Sequence, residues 1–178
     1  MASFFTIGHS TRSLDDFISL LKDAGVKTIA DVRSIPRSRT NPQFNTETLP
    51  QALGASGIDY AHLAKLGGLR GRLKGKAVSQ NMFWDNKSFR NYADYTATET
   101  FRIGLRELRD LGQARNAAVM CAEAVWWRCH RRIIADYLIA QGEAVFHILG
   151  PNKIEPARIT PAAHVSSDGT LVYPAANA

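Results

Sequence analysis

Two rhythms of apolar and polar positions alternate along the chain. Phe4 to Ile7 is a short apolar run, and Gly8-His9-Ser10-Thr11 follows it as a tight polar loop. Ser13, with Asp16 three residues on, opens a helix by a capping box. Leu14, Phe17, Ile18, Leu21 and Ala24 form its buried stripe, and Gly25 stops it. Thr28 to Val32 is a second strand. Arg33 to Asn45 is a loop broken by Pro36 and Pro42, Thr46 caps a short helix through Ala55, and Ile58 to Ala61 is a third strand. Leu66 to Lys76 is rich in glycine and cations and reads as a mobile loop, with Met82-Phe-Trp84 pinning its far end. Ser88 caps one long helix, striped by Phe89, Ala93, Ala97, Phe101, Leu105 and Leu108 and ended by Gly112. Ala117 to Cys121 is an apolar run of the kind buried on both faces of a sheet. Ile133, Ile134, Tyr137 and Leu138 recur at helical spacing between Cys129 and Gln141, and Ala144 to Leu149 is a fifth strand.

Strand and helix alternate in this way up to Gly150. The pattern predicts an α/β fold: one three-layer domain over residues 1–150, with a mostly parallel, Rossmann-like sheet of about five strands flanked by helices. Residues 151–178 read as an irregular C-terminal extension, with Leu171-Val-Tyr173 as a candidate edge strand. In open sheets of this kind, ligands bind outside the carboxyl ends of the strands. Gly8-His9-Ser10, Arg33, His62 and Cys121 to Glu123 each follow a strand, so four polar clusters fall on that edge.

Charge narrows the class of partner. Lysine and arginine number 22 against 16 aspartate and glutamate, a net charge of +6 over 178 residues. That excess favours a phosphate-bearing ligand, a nucleotide or nucleic acid. The run Phe4 to Ile7 is too short for a signal peptide, no apolar run is long enough to span a membrane, and two cysteines make no disulfide framework. The expectation is a soluble, cytoplasmic protein with no membrane partner. The oligomeric state is left open.

The chemistry concentrates in Val119-Met-Cys-Ala-Glu-Ala-Val-Trp-Trp-Arg-Cys-His-Arg-Arg132. A loop that leaves a strand here delivers Cys129, His130 and Arg131 to a helix start, where free N–H groups and the helix dipole favour an anion. Cys121, at the end of a core strand, reads as a packed thiol. Cys129 has the better claim to reactivity, because a helix N-terminus lowers a thiol pKa. Glu123 is placed either to pair with Arg131 or Arg33 or to act as a nucleophile or base. His9 and His130 are the acid–base candidates. Asp31 reads as a buried partner for an arginine. Arg33, Arg37, Arg39 and Arg131, with Ser10, are the candidate anion contacts, and Trp127 is a ring that could stack on a base. The order of Cys121 and then Arg128 resembles the phosphate-binding loop of cysteine phosphatases, but it is longer and lacks that loop's glycines. Cys121, Cys129 and His130 match no common zinc spacing and lack a fourth ligand. No metal or cofactor is expected.

Several separated stretches together resemble one family. They are Thr6-Ile-Gly-His-Ser10, Asp31-Val-Arg33 with Pro36 and Ser38-Arg39, Phe44-Asn45, Leu66-Gly-Gly68, Tyr92-Ala-Asp-Tyr95, and Met120-Cys-Ala-Glu-Ala124 with Cys129-His-Arg131. In this order they resemble the domain of unknown function 488 family, from roughly residue 5 to residue 148. The resemblance carries no assigned reaction. Val125-Trp126-Trp127 departs from it, standing where smaller and more polar residues are expected.

Three functional readings follow. The leading one is an enzyme-like domain, a hydrolase or transferase, that binds a phosphate-bearing nucleotide or nucleic-acid substrate. Glu123 and His9 would do its acid–base or nucleophilic work, Arg33 and Arg131 would hold the anion, and Cys129 would be an accessory thiol. The second is a non-catalytic nucleic-acid-binding module using Lys65, Arg70, Arg72, Lys74 and Lys76. The third is a thiol or metal sensor through Cys121 and Cys129.

Overall fold

The structure, a computed structural model, describes residues 2–75 and 78–177. Lys76, the last cation of the basic loop, lies outside the described residues. Strands β1 (Ser3–Gly8), β2 (Thr28–Asp31), β3 (Asp59–His62), β4 (Ala117–Cys121), β5 (Ala144–Gly150) and β6 (Lys153–Pro156) form one sheet in the order β3-β2-β4-β1-β5-β6. The first five in that order run parallel, and β6 is antiparallel to β5. Helices α1 (Leu14–Asp23) and α2 (Leu49–Ala55) cover one face. Helices α3 (Lys87–Tyr95), α4 (Glu99–Ala114) and α5 (Arg131–Ala140) cover the other. The three-layer α/β expectation is met.

Strand alternation divides the core between the layers. Phe5, Ile7, Ala118 and Met120 face α1 and α2, where they meet Phe17, Leu21, Leu49 and Leu53. Phe4, Ala117, Val119 and Cys121 face the other way, against Phe101, Leu105, Leu108, Ile133 and Ile134. Cys121 therefore belongs to the α5 layer, and that is how it comes to meet α5's first residues.

Three details differ from the pattern read above. The stripe read as one long helix is two, because Thr96 Oγ1 donates back to Ala93 O at 2.6 Å and Thr98 Oγ1 accepts from Phe101 N at 3.3 Å. These hydroxyls end one helix and cap the next without interrupting the apolar spacing. The cap of α3 is Asn86 rather than Ser88, its Oδ1 accepting from Ser88 N at 2.8 Å. In the C-terminal stretch, Lys153–Pro156 turns back as the sheet's edge strand. Leu171–Val172 instead pairs with His164–Val165 as a separate hairpin, β7 and β8. Tyr173 is fully buried there, and its hydroxyl donates to Asp136 Oδ2 on α5 at 2.9 Å.

The chain leaves β1 toward β2 across one face and leaves β4 toward β5 across the other. The crevice between the carboxyl ends of β1 and β4 is thus the sheet's topological switch point, the usual place for a ligand.

Candidate functional site

The β1 and β4 ends are fused by backbone contacts. His9 N donates to Cys121 O at 2.9 Å, and Ser10 N donates to Ala122 O at 3.0 Å. A Cβ on Gly8 would lie 1.8 Å from Glu123 O and 2.9 Å from Arg131 Nη1. Only glycine lets the two loops close at this point. Ser10 takes a positive φ of 49° as the chain turns away.

Asp31 and Arg33 sit two residues apart at the end of β2, so both side chains point to one side. Arg33 Nε donates to Asp31 Oδ1 at 2.9 Å and Nη2 donates to Oδ2 at 2.7 Å, a bidentate ion pair. Asp31 is fully buried and also accepts from Tyr60 Oη at 2.5 Å. Arg33 Nη2 reaches Phe44 O at 2.7 Å, and Arg33 Nη1 faces His9 Nε2 at 3.3 Å. His9 Nδ1 lies 2.8 Å from Ser10 O, so Nδ1 carries the proton and Nε2 offers its lone pair to Arg33. The His9 ring stacks on Phe44 with centroids 4.3 Å apart. Burial, reinforced by Arg33, lowers the His9 pKa despite the pull of the Ser10 carbonyl.

A second cluster forms where the loop after β4 meets α5. Arg131 is 1% exposed. Its Nη1 donates to Cys121 Sγ and to Glu123 O, both at 2.8 Å, and Nη2 donates to Ala124 O at 3.3 Å. Its Nε has no partner. Among the described residues no carboxylate pairs with this guanidinium. Burial by itself would push the Cys121 thiol up. A hydrogen bond from Cys129, the Arg131 charge and the contact with Glu123's backbone outweigh it and bring Cys121 down to about 7. Burial and the neighbouring thiol push Cys129 well up, although Arg131 N on α5 points at its Sγ from 3.5 Å. The sequence favours Cys129 as the activated thiol; in the folded chain the Arg131 guanidinium faces Cys121 Sγ at 2.8 Å, and the Arg131 backbone N faces Cys129 Sγ at 3.5 Å.

His130 Nε2 lies 2.8 Å from Val32 O and must donate there. Burial lowers its pKa to about 4, so the ring is neutral and Nδ1 is a bare acceptor, 3.5 Å from Cys129 Sγ. A Cβ on Gly68 would fall 2.5 Å from that Nδ1, so the Leu66-Gly-Gly68 segment closes over the ring only as glycine.

Two adjoining clefts open at this edge and share Arg33, Ala122 and Glu123 as their common wall. One, of about 290 Å³, is lined by Cys121, Cys129, His130, Glu123 and Arg128. The other, of about 340 Å³, is lined by His9, Ser10, Arg37, Asn41 and Glu123. Glu123 is exposed and its carboxylate is unpaired among the described residues. Arg37 is exposed and pairs with Glu47, while Arg39 is exposed and lines neither cleft. Trp127 is 49% exposed, and its neighbour Trp126 stacks flat on His147 at 4.4 Å. In the basic loop, Arg70 is held by Gly67 O and Ala64 O and lies over the Tyr95 ring, whereas Arg72 and Lys74 are exposed.

The strand edge thus gathers His9, Ser10, Arg33, Arg37, Glu123, Cys129, His130 and Arg131, and leaves Arg39 outside. Sequence reasoning takes up Arg128 only for its order after Cys121, Phe44 only within the family resemblance and Tyr60 only as a strand residue; the structure puts Arg128 on the thiol cleft and braces His9 and Asp31 with Phe44 and Tyr60. Among the described residues, no three side chains of His, Cys, Asp or Glu type are grouped to hold a metal ion, and no helix is long and apolar enough to cross a membrane. A model of the family described as Domain of unknown function DUF488 matches residues 13–138. No curated protein and no solved structure matches the chain.

Proposed function

We propose, from the premise that the chain belongs to the DUF488 family, that the crevice at the β1 and β4 ends is an active site built on a nucleophilic cysteine, Cys121. One observation carries this reading: the buried Arg131 guanidinium lies against Cys121 Sγ with no carboxylate among the described residues to balance it. A guanidinium keeps its proton in proteins. A buried charge without a counter-charge is strongly destabilising. The Cys121 thiolate supplies that counter-charge, and a thiolate is the nucleophilic form of cysteine.

The ligand would occupy the cleft of about 290 Å³ and present an electrophilic atom to Cys121. Glu123, unpaired on the same wall, is placed to donate or accept a proton there. The phosphate-bearing ligand expected from the net charge would meet Arg128 at this cleft. Arg33 and Arg131 are each engaged by internal partners, so in this reading they organise the site and do not grip the anion. His9 serves the same scaffold, its lone pair turned to Arg33. A nucleic-acid-binding reading keeps Arg72 and Lys74 as its footing. It requires binding of short DNA or RNA that weakens with salt and with neutralisation of those two residues.

The test is alkylation by iodoacetamide at pH 7, mapped by peptide mass. Cys121 should react ahead of Cys129. In Arg131→Met the thiolate fraction should fall, and Arg131→Lys should restore part of it. Equal, slow reaction of both cysteines in the native protein would contradict the assignment.

A further inference from the structure

Cys121 has a second thiol as its nearest reactive neighbour. Both line the same cleft, and one residue reaches both sulfurs: Arg131 Nη1 lies 2.8 Å from Cys121 Sγ and Arg131 N lies 3.5 Å from Cys129 Sγ. Neither cysteine is in a disulfide. A nucleophilic thiolate and a second thiol in the same cleft are the parts of a dithiol–disulfide couple. We infer that Cys121 and Cys129 form such a couple, in which Cys121 reduces a hydroperoxide and Cys129 closes the disulfide. The inference rests on the nucleophile reading of Cys121.

The chemistry balances in two steps. The Cys121 thiolate attacks one peroxide oxygen, the O–O bond breaks, and the departing alkoxide takes a proton from solvent to leave as an alcohol. Cys121 becomes a sulfenic acid. Cys129 Sγ then attacks the Cys121 sulfur and the S–O bond breaks. The departing hydroxide takes the Cys129 proton and leaves as water. The two sulfurs give up two electrons, and the hydroperoxide accepts both. An external dithiol returns the pair by thiol–disulfide exchange.

Arg131 gives this couple a built-in bias. In the disulfide the thiolate is gone, and the buried guanidinium is left with only the carbonyls of Glu123 and Ala124. An unpaired buried charge destabilises the oxidised form relative to the dithiol, so the disulfide is readily reduced. Because the same Nη1 also holds Glu123 O, oxidation perturbs the residue proposed as acid or base. Trp126 and Trp127, between the two cysteines in sequence, are placed to report the change by fluorescence.

The experiment treats the full reduced chain with equimolar hydrogen peroxide and then reads intact mass and mapped peptides. The expected product has lost two hydrogens, yields a Cys121–Cys129 linked peptide, and returns to the starting mass with dithiothreitol. In Cys129→Ser, Cys121 should instead accumulate oxygen. Stable oxygen adducts on Cys121 in the native protein, with Cys129 still alkylatable, would overturn the couple. So would indifference to peroxide in a protein whose Cys121 still takes iodoacetamide at pH 7, and that outcome leaves the nucleophile reading standing. Indifference to both reagents would remove both.

Discussion

Replacing the thiol beside Arg131 perturbs the proposed site most directly. Cys121→Ser keeps the size and a hydrogen-bond acceptor but cannot ionise near neutral pH. Among the described residues Arg131 has no other counter-charge, with Nη1 at 2.8 Å from Cys121 Sγ and Nε without a partner. Breaking a buried ion pair by removing one partner costs about 3–5 kcal/mol, whereas a neutral hydrogen bond contributes about 1 kcal/mol. The Cys121 thiol is lowered to about 7, against burial, by Cys129 first and then by the Arg131 charge. The sign follows from linkage. A folded pKa below the unfolded one gives stability that is full above the unfolded value and lost as pH falls through the folded value. The contribution is therefore complete near pH 9.0 and gone below about 7. Above that range Cys129, pushed up by burial, adds the opposite trend. The assay is a double-mutant cycle of Cys121→Ser and Arg131→Met, read by urea unfolding at about pH 8.5 and about pH 6. The coupling should be about 3 kcal/mol at the higher pH and shrink toward about 1 kcal/mol at the lower. A coupling near 1 kcal/mol at both would show a neutral hydrogen bond and refute the ion pair.

Other consequences can be measured on the same protein. Gly8→Ala would drive a Cβ into Glu123 O and against Arg131 Nη1; thermal unfolding should show a loss of about 3 kcal/mol or more, together with slowed alkylation of Cys121. Asp31→Asn leaves Arg33 buried without its charge partner, and denaturant unfolding should register about 3–5 kcal/mol. His130 and His147 are lowered to about 4 by burial. The unfolded chain therefore binds protons that the folded chain refuses, and stability should fall as pH drops from about 6.5 toward 4. A flat urea midpoint across that window would contradict the neutral assignment of these rings.

Much of the site was legible in the sequence because strand ends are local features. The polar residues after β1, β2 and β4 fell on one edge once the alternation of strands and helices was read. The i, i+2 spacing of Asp31 and Arg33 placed both on one side of a strand, and Asp31 is the buried arginine partner it was read to be. Other features depended on tertiary approach. Nothing in the order of residues brings Arg131 across its loop onto Cys121 in preference to Glu123, so the helix start made Cys129 look like the activated thiol. The fusion of Gly8 with the loop after β4 decides that contact, and it joins segments more than a hundred residues apart. The break at Thr96 to Thr98 was hidden because the apolar stripe continues through it. The strand Lys153–Pro156 is exposed along its whole length and carries no alternation to read.

The central claim is that Cys121 ionises near neutral pH with the Arg131 guanidinium as its counter-charge. The most direct measurement is the far-ultraviolet absorbance of the thiolate as a function of pH, taken as the native protein minus Cys121→Ser. The account predicts a single rise with a midpoint near 7, displaced upward in Arg131→Met. A rise only in the ordinary thiol range, near 9.0, and unchanged by loss of Arg131, would contradict it.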